Sequence, residues 1–233
     1  VFTEGRKVFV SHPINHFPLV EDATFTCLMG GGIGITPMIA MAHRLHALGR
    51  AFAVHYSVPS RAAAGYLEDL ASFPWADRVS LHISDEGTRA DLDAILPEYA
   101  NCQHVYTCGP EPYMNAVMKA AERKGFPEEA RHLEFFAVPD IPDYENHPFT
   151  LTLKSGASFT VPPEKTATDV LAENGIAVDV KCADGICGVC RAKLVEGDVE
   201  HRDFVLSKAQ REDAIILCQS RAAAPGGEIV IDL

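Results

Sequence analysis

Positive charge is scarce in this chain. Its 233 residues carry 20 Lys and Arg against 32 Asp and Glu, a net charge of −12. Nucleic-acid binding needs the opposite sign, so no nucleic-acid partner is expected. Residues 140–233 hold 16 acids and 9 Lys and Arg. Such an excess serves solubility, or lets an acidic face dock on a basic patch of a partner. Long apolar runs are missing too. No segment could span a bilayer, although 47 % of residues are hydrophobic, as in ordinary globular proteins. Glu4, Arg6 and Lys7 interrupt any apolar start, so no secretory signal is expected. Internal repeats, low-complexity segments and the G-x-G-x-x-G fingerprint are all absent.

Cysteine is present, and its placement is informative. There are seven, an odd number, in a chain too long for a small disulfide scaffold. This suits a reducing cytoplasm. Cys182, Cys187 and Cys190 form C-x4-C-x2-C, and Cys218 follows downstream. That is the plant-type ligand pattern for a [2Fe–2S] cluster, in which two irons need two thiolates each. Gly185 and Gly188 lie inside the loop and allow backbone N–H groups to approach the sulfurs. Zinc is the alternative. It also takes four thiolates, but usually from two short knuckles, and only one C-x2-C occurs here. Cys27, Cys102 and Cys108 are left over.

The chain divides into two patterns. From Thr24 to about Ala137, apolar β-prone runs alternate with helical periods, which predicts a doubly wound parallel sheet. Strands are expected at Thr24–Met29, Ala51–Ser57, Val79–Ser84, Gln103–Thr107 and Arg131–Phe136. Helices are expected at Thr36–Leu48, Arg61–Ala71, near Asp91–Leu96 and at Glu111–Lys124. Residues 138–148, with three prolines and three acids, read as a linker. A hairpin (Phe149–Leu153, Ser158–Val161), a helix (Thr168–Glu173) and strands at Arg191–Val195, Ile215–Cys218 and Glu228–Leu233 predict a small mixed sheet. Ser207 is expected to cap a short helix through Asp213.

Two motifs follow predicted strands. In Gly30-Gly31-Gly32-Ile33-Gly34-Ile35-Thr36-Pro37, glycines allow a sharp turn and close approach of a phosphate. Thr36 is expected to cap the helix and Pro37 to fit its first turn, leaving free N–H groups for a pyrophosphate. A tight turn with no ligand is the alternative. In Thr107-Cys108-Gly109-Pro110, at the carboxyl edge where open α/β sheets bind ligands, Cys108 and Gly109 could form a nicotinamide shelf. A buried structural Cys is the alternative there. Arg61 is a candidate for the adenosine phosphates or a solvated residue. Asp85–Arg89 and His201-Arg202-Asp203 read as turns; the latter lacks the residues that complete a kinase catalytic loop.

In order, GGGIGITPM, CGPEPYM, HLEFF and DVKCADGICGVC with HRDFVLS resemble the phthalate dioxygenase reductase family, over nearly the whole chain. The resemblance implies an NAD-binding α/β domain at 21–137, the linker at 138–148 and a β-grasp ferredoxin domain at 149–233. It also implies a remnant of a flavin-binding barrel at 1–20, with its last strand near Lys7–Val10. By the same resemblance Phe136, with Phe135 adjacent, faces the flavin, and Glu134 neighbours it; an exposed strand-end acid is the alternative for Glu134. Gly31, Gly32, Gly34, Thr36, Pro37, Gly109 and Pro110 bind nucleotide, and NADH is favoured, though Arg61 leaves NADPH open. The implied activity is an oxidoreductase passing electrons from NAD(H) through FMN to the cluster, and on to a terminal oxygenase. The family's flavin-phosphate motif is absent from this chain, and a hydride carries two electrons where the cluster takes one. The chain is therefore expected to be part of a larger protein and inefficient alone with NADH. The reductase tail of a fused haem-thiolate monooxygenase and a non-enzymatic nucleotide- or metal-binding module are the rival readings.

Overall fold

The computed structural model describes residues 3–10, 12, 15–138 and 143–233. Nine elements follow one another in the first part: β1 (Phe25–Gly31), α1 (Ile35–Ala47), β2 (Phe52–Val58), α2 (Leu67–Ser72), β3 (Val79–Ile83), α3 (Leu92–Ile95), β4 (Gln103–Cys108), α4 (Glu111–Arg123) and β5 (Arg131–Glu134). The strands form one parallel sheet in the order β3-β2-β1-β4-β5. Central β1 is buried on both faces, which is why its sequence is a continuous apolar run rather than an alternation. Leu28 faces α1 and packs with Met38, Ala42, Leu45 and Tyr106. Cys27 and Met29 face α4 and pack with Val117, Ala120 and Ala121.

Four expectations are corrected here. The helix expected over Arg61–Ala71 breaks into a 3-10 turn, Arg61–Ala63, and α2. Tyr66, at φ 61°, stands in the left-handed region and interrupts it. Thr36 does not cap α1: the N-cap is Gly34, and the Thr36 hydroxyl donates to the Ile33 carbonyl from inside the first turn, at 3.0 Å. β5 stops at Glu134, two residues early. The strand expected near Lys7–Val10 does not form, and Val8, Phe9 and Val10 are exposed. A strand needs a ladder partner, and among the described residues none pairs with that segment. Residues 15–20 instead lie on the nucleotide sheet. Phe17 meets Tyr106 edge-on at 5.4 Å, and the Val20 N–H donates to the Tyr106 hydroxyl at 2.9 Å.

The second part comprises β6 (Phe149–Leu153), β7 (Ser158–Val161), α5 (Ala167–Glu173), β8 (Arg191–Glu196), β9 (Val199–Glu200), β10 (Ala214–Ile216), β11 (Arg221–Ala222) and β12 (Glu228–Asp232). Its mixed sheet runs β10-β8-β12-β6-β7, with β6 and β12 parallel at the centre. Val170 and Leu171 of α5 pack on Leu151, Val161 and Ile229, the arrangement of a β-grasp. Thr166 and Asp169 close a full capping box at the start of α5. After Ser207 only a 3-10 turn forms, Gln210–Glu212, although the Ser207 hydroxyl does accept from the Gln210 N–H at 3.2 Å.

Two buried arginines join the linker to this sheet. Arg221 donates to the carbonyls of Lys165 (2.8 Å), His147 (2.9 Å) and Pro162 (2.9 Å). Arg202 pairs with Glu200, donates to Asn146 Oδ1 at 2.6 Å, and lies 4.3 Å over the Tyr144 ring. The linker expected at 138–148 thus has residues 144–147 fixed. Residues 139–142 lie outside the described residues.

Candidate functional sites

The four predicted cluster cysteines come together two and two. Cys187 lies close enough to Cys182 to shift its thiol, and Cys218 close enough to shift that of Cys190. Among the described residues no three His, Cys, Asp or Glu side chains gather as a single-ion site. The loop between Cys182 and Cys190 turns through left-handed backbone at Ala183, Gly185 and Gly188. That path aims backbone N–H groups at sulfur: the Asp184 N–H reaches Cys182 Sγ at 3.4 Å. The loop is held from outside by Gln219, whose amide donates to Ala183 O at 2.7 Å, and by the Phe204 N–H on Gly185 O at 3.1 Å.

Each pair divides its protons unequally. Cys190 is lowered to about 6, chiefly by the hydrogen bond from Cys218, against burial. Cys218 is raised by that same bond and by burial. Burial opposes ionisation of Cys182, but N–H groups and the Cys187 thiol together bring it below the usual range; Cys187 is raised, mostly by burial. Two thiolates per iron, N–H donors at sulfur and partial burial are what a [2Fe–2S] cluster asks of its residues. Cys27, by contrast, is buried without donors and pushed up to about 12, a packing residue.

The second site lies at the carboxyl edge of the parallel sheet, between β1 and β4, where the strand order reverses. Gly34 is required there by contact: a Cβ on it would stand 2.1 Å from the Cys108 carbonyl oxygen. Gly32 is required by conformation instead, with φ +55° and open space around it. Two cavities flank these loops. One of about 450 Å³ extends over β2 and β3 and is lined by Gly31, Gly32, Ser57, His82, Arg89 and Pro110. The other, of about 310 Å³, lies toward β5 and is lined by Gly32, Ile33, Gly109, Pro110, Phe135 and Phe136.

The predicted residues divide between these spaces. Gly31, Gly32 and Pro110 line both cavities, and Gly109 lines the β5-side one. Phe136 lines the β5-side cavity and is 52 % exposed. Glu134 lies in neither. It borders a third cavity of about 470 Å³ with Asn15, Phe17, Pro37 and Arg44, and burial raises its carboxyl above the usual range. Cys108 is fully buried in the α1-side core, level with Glu134 on the neighbouring strand. Burial, with Glu134 nearby, pushes its thiol up to about 12, so it stays protonated. Arg61 is engaged by Glu86 through both carboxylate oxygens, at 2.5 and 3.0 Å. Arg89, read from sequence as part of a surface turn, lines the larger cavity. Its position just past the carboxyl end of β3 is the signal that could have marked it.

The 2Fe-2S iron-sulfur cluster binding domain matches residues 151–223. The tert-butanol monooxygenase / tert-amyl alcohol desaturase reductase subunit of Aquincola tertiaricarbonis is 39 % identical, over 98 % of this chain and 71 % of its own length. Phthalate dioxygenase reductase of Burkholderia cepacia is 36 % identical, over 99 % of this chain and 72 % of its own. The chain belongs to the phthalate dioxygenase reductase family. A solved phthalate dioxygenase reductase structure aligns over 95 % of this chain and 69 % of its own, at 35 % identity and a TM-score of 0.57. An intact type IV self-sufficient cytochrome P450 monooxygenase aligns over 95 % of this chain and 29 % of its own, at 34 % identity and a TM-score of 0.78. In this phthalate dioxygenase reductase relative, as in its family, the chain is an oxidoreductase with a nucleotide-binding α/β part followed by a [2Fe–2S] ferredoxin part. The family's cofactors are the cluster, NAD(H) and FMN. The cluster fits the residues present. Among the described residues FMN would meet Phe136 and Glu134 at the neighbouring cavities but no phosphate-binding loop.

Proposed function

We propose that this chain receives reducing equivalents from NADH and delivers them singly, through its [2Fe–2S] ferredoxin part, to a separate oxygenase. The observation that carries this reading is the gathering of three cluster thiols on an N–H-lined loop beside Cys218, in one chain with a nucleotide cleft at a sheet switch point. Dinucleotide would lie across the two cavities, its pyrophosphate against Gly31 and Gly32 and its nicotinamide near Gly109 and Phe136. Arg89 would serve the adenosine half. NADH is preferred over NADPH because Glu86 occupies Arg61, and Asp85 and Glu86 together oppose a 2′-phosphate at the end of β3. When bound in the complete protein, FMN supplies the conversion from two-electron to one-electron chemistry. No helix among the described residues is long and apolar enough to cross a membrane, in keeping with a partner met in the cytoplasm.

The test is an anaerobic titration. The purified chain should be red-brown and its absorbance should bleach with dithionite, but with NADH only when a flavin-bearing portion is supplied. A colourless zinc protein, or flavin-free reduction of dye by NADH at normal enzyme rates, would sink the reading. A second reading, the reductase portion of a self-sufficient haem-thiolate monooxygenase, draws on the TM-score of 0.78 to such a structure. Offering the reduced protein a Rieske oxygenase and a P450 haem domain in parallel separates the two.

A further inference from the structure

Two consecutive phenylalanines leave β5 differently. Phe136 is exposed at the β5-side cavity. Phe135 is half-buried, with its ring 5.4 Å from that of Phe204 at 61°. Phe204 belongs to the cluster part, where its N–H holds the carbonyl of Gly185 in the ligand loop. A second contact lies before the start of β5, where the Lys208 N–H donates to Glu128 Oε1 at 3.1 Å. The segment from Phe204 to Lys208 therefore touches both flanks of β5, the edge strand of the nucleotide sheet. Edge strands need such cover. Two residues before Phe204, Arg202 lies over Tyr144, so the connection between the two parts is secured next to the same contact.

We propose that Phe135 and Phe204 are positioning residues that seat the cluster loop against the nucleotide part, leaving Phe136 to face the nicotinamide side. The inference deepens the functional reading above and rests on it for its electron-transfer arm. Edge-to-face aromatic pairs prefer this geometry and contribute beyond the area they bury. Without the pair, the cluster part is joined to the nucleotide part through the chain and the Glu128 contact, and its distance from the cleft is free to vary.

The test uses the cluster-loaded chain with a nitroxide on Cys102, which is partly exposed and is not a ligand. Pulsed dipolar EPR between label and reduced cluster should give a narrow distance distribution in the native protein. Phe135→Ala and Phe204→Ala should broaden it, and Phe136→Ala should leave it unchanged. With a flavin-bearing portion supplied, NADH-driven cluster reduction in Phe204→Ala should slow by roughly two- to tenfold. NADH-driven ferricyanide reduction should hold, because Phe204 lines neither nucleotide cavity. If Phe204→Ala fails to assemble its cluster, Phe204→Leu keeps the apolar volume but not the edge contact and carries the test. Native-width distributions in both alanine variants, or unchanged cluster reduction, would overturn the proposal. If NADH fails to reduce even the native cluster, the functional reading falls, while the distance arm still judges the contact.

Discussion

Cys182, Cys187, Cys190 and Cys218 are the four thiols that the cluster needs, two per iron. Replacing any one of the four with Ser removes a thiolate from one iron, so all four variants should lose the visible cluster spectrum. Cys27→Ser should keep that spectrum and lose about 1–3 kcal/mol in chemical denaturation, since it buries a hydroxyl in an apolar site. The glycines divide similarly. Gly34→Ala puts a methyl group into the Cys108 carbonyl, and should lower nucleotide-part stability by more than about 3 kcal/mol. Gly32→Ala meets open space and should cost only about 1–2 kcal/mol for its left-handed backbone, with nucleotide affinity reduced more than stability. Equal denaturation midpoints for the two variants would contradict this. At this scale the sequence showed the glycine cluster but not the division of labour within it. Only the fold reveals which residue meets the β4 loop and which meets the cleft. Cys108 is similar: its motif pointed to the cleft, yet strand alternation puts it on the face of Tyr106, inside the core.

The elements themselves follow the sequence where a local signal is strong. The hairpin β6–β7 lies at the predicted residues because buried Phe149, Leu151 and Leu153 alternate with half-buried threonines, and Val161 follows exposed Thr160, around a glycine turn. α5 starts where its capping box puts it. Thr166→Ala removes the hydroxyl that accepts from the Asp169 N–H, leaves the bond from its own N–H to the Asp169 carboxylate, and should cost about 1 kcal/mol, read as a lower unfolding midpoint of the ferredoxin part. The misses have physical causes. The helix expected over Arg61–Ala71 is shorter because the backbone reverses at Tyr66, just after Gly65. β9 and β11 are two-residue bridges, Arg221 opposite Glu200, which no periodicity can announce. Arg89 reads as a turn residue because the charged run Asp85–Arg89 outweighs the one signal for a cavity residue, its place just past the carboxyl end of β3.

Across the whole molecule, the nucleotide sheet carries two histidine pairs on neighbouring strands. His55 contacts His82 at 3.1 Å and His104 contacts His132 at 2.9 Å, with His132 stacked on Tyr106. Burial first, then the neighbouring ring, holds His55 and His132 down to about 4. In the unfolded chain each titrates near 6.5. Between these values the unfolded state binds more protons, so stability must fall as pH drops from about 6.5 to about 4. Fluorescence of Trp75, fully buried in this part, reports it directly. Denaturation midpoints should drop between pH 7 and pH 4.5, and His132→Gln should flatten the slope. A midpoint independent of pH over that range would refute the assignment. Removal of iron should act on the other part. Its stability should fall with loss of the cluster, while the Trp75 transition stays in place.

Arg221 has a consequence for how such chains diverge. It holds the linker and the turn before α5 only through carbonyl oxygens, those of His147, Pro162 and Lys165. Carbonyls are the same whatever side chain they follow. Where Arg221 grips it, the joint can therefore drift in sequence and keep its position, whereas Tyr144 and Asn146, which Arg202 engages through their side chains, are tied to their identities.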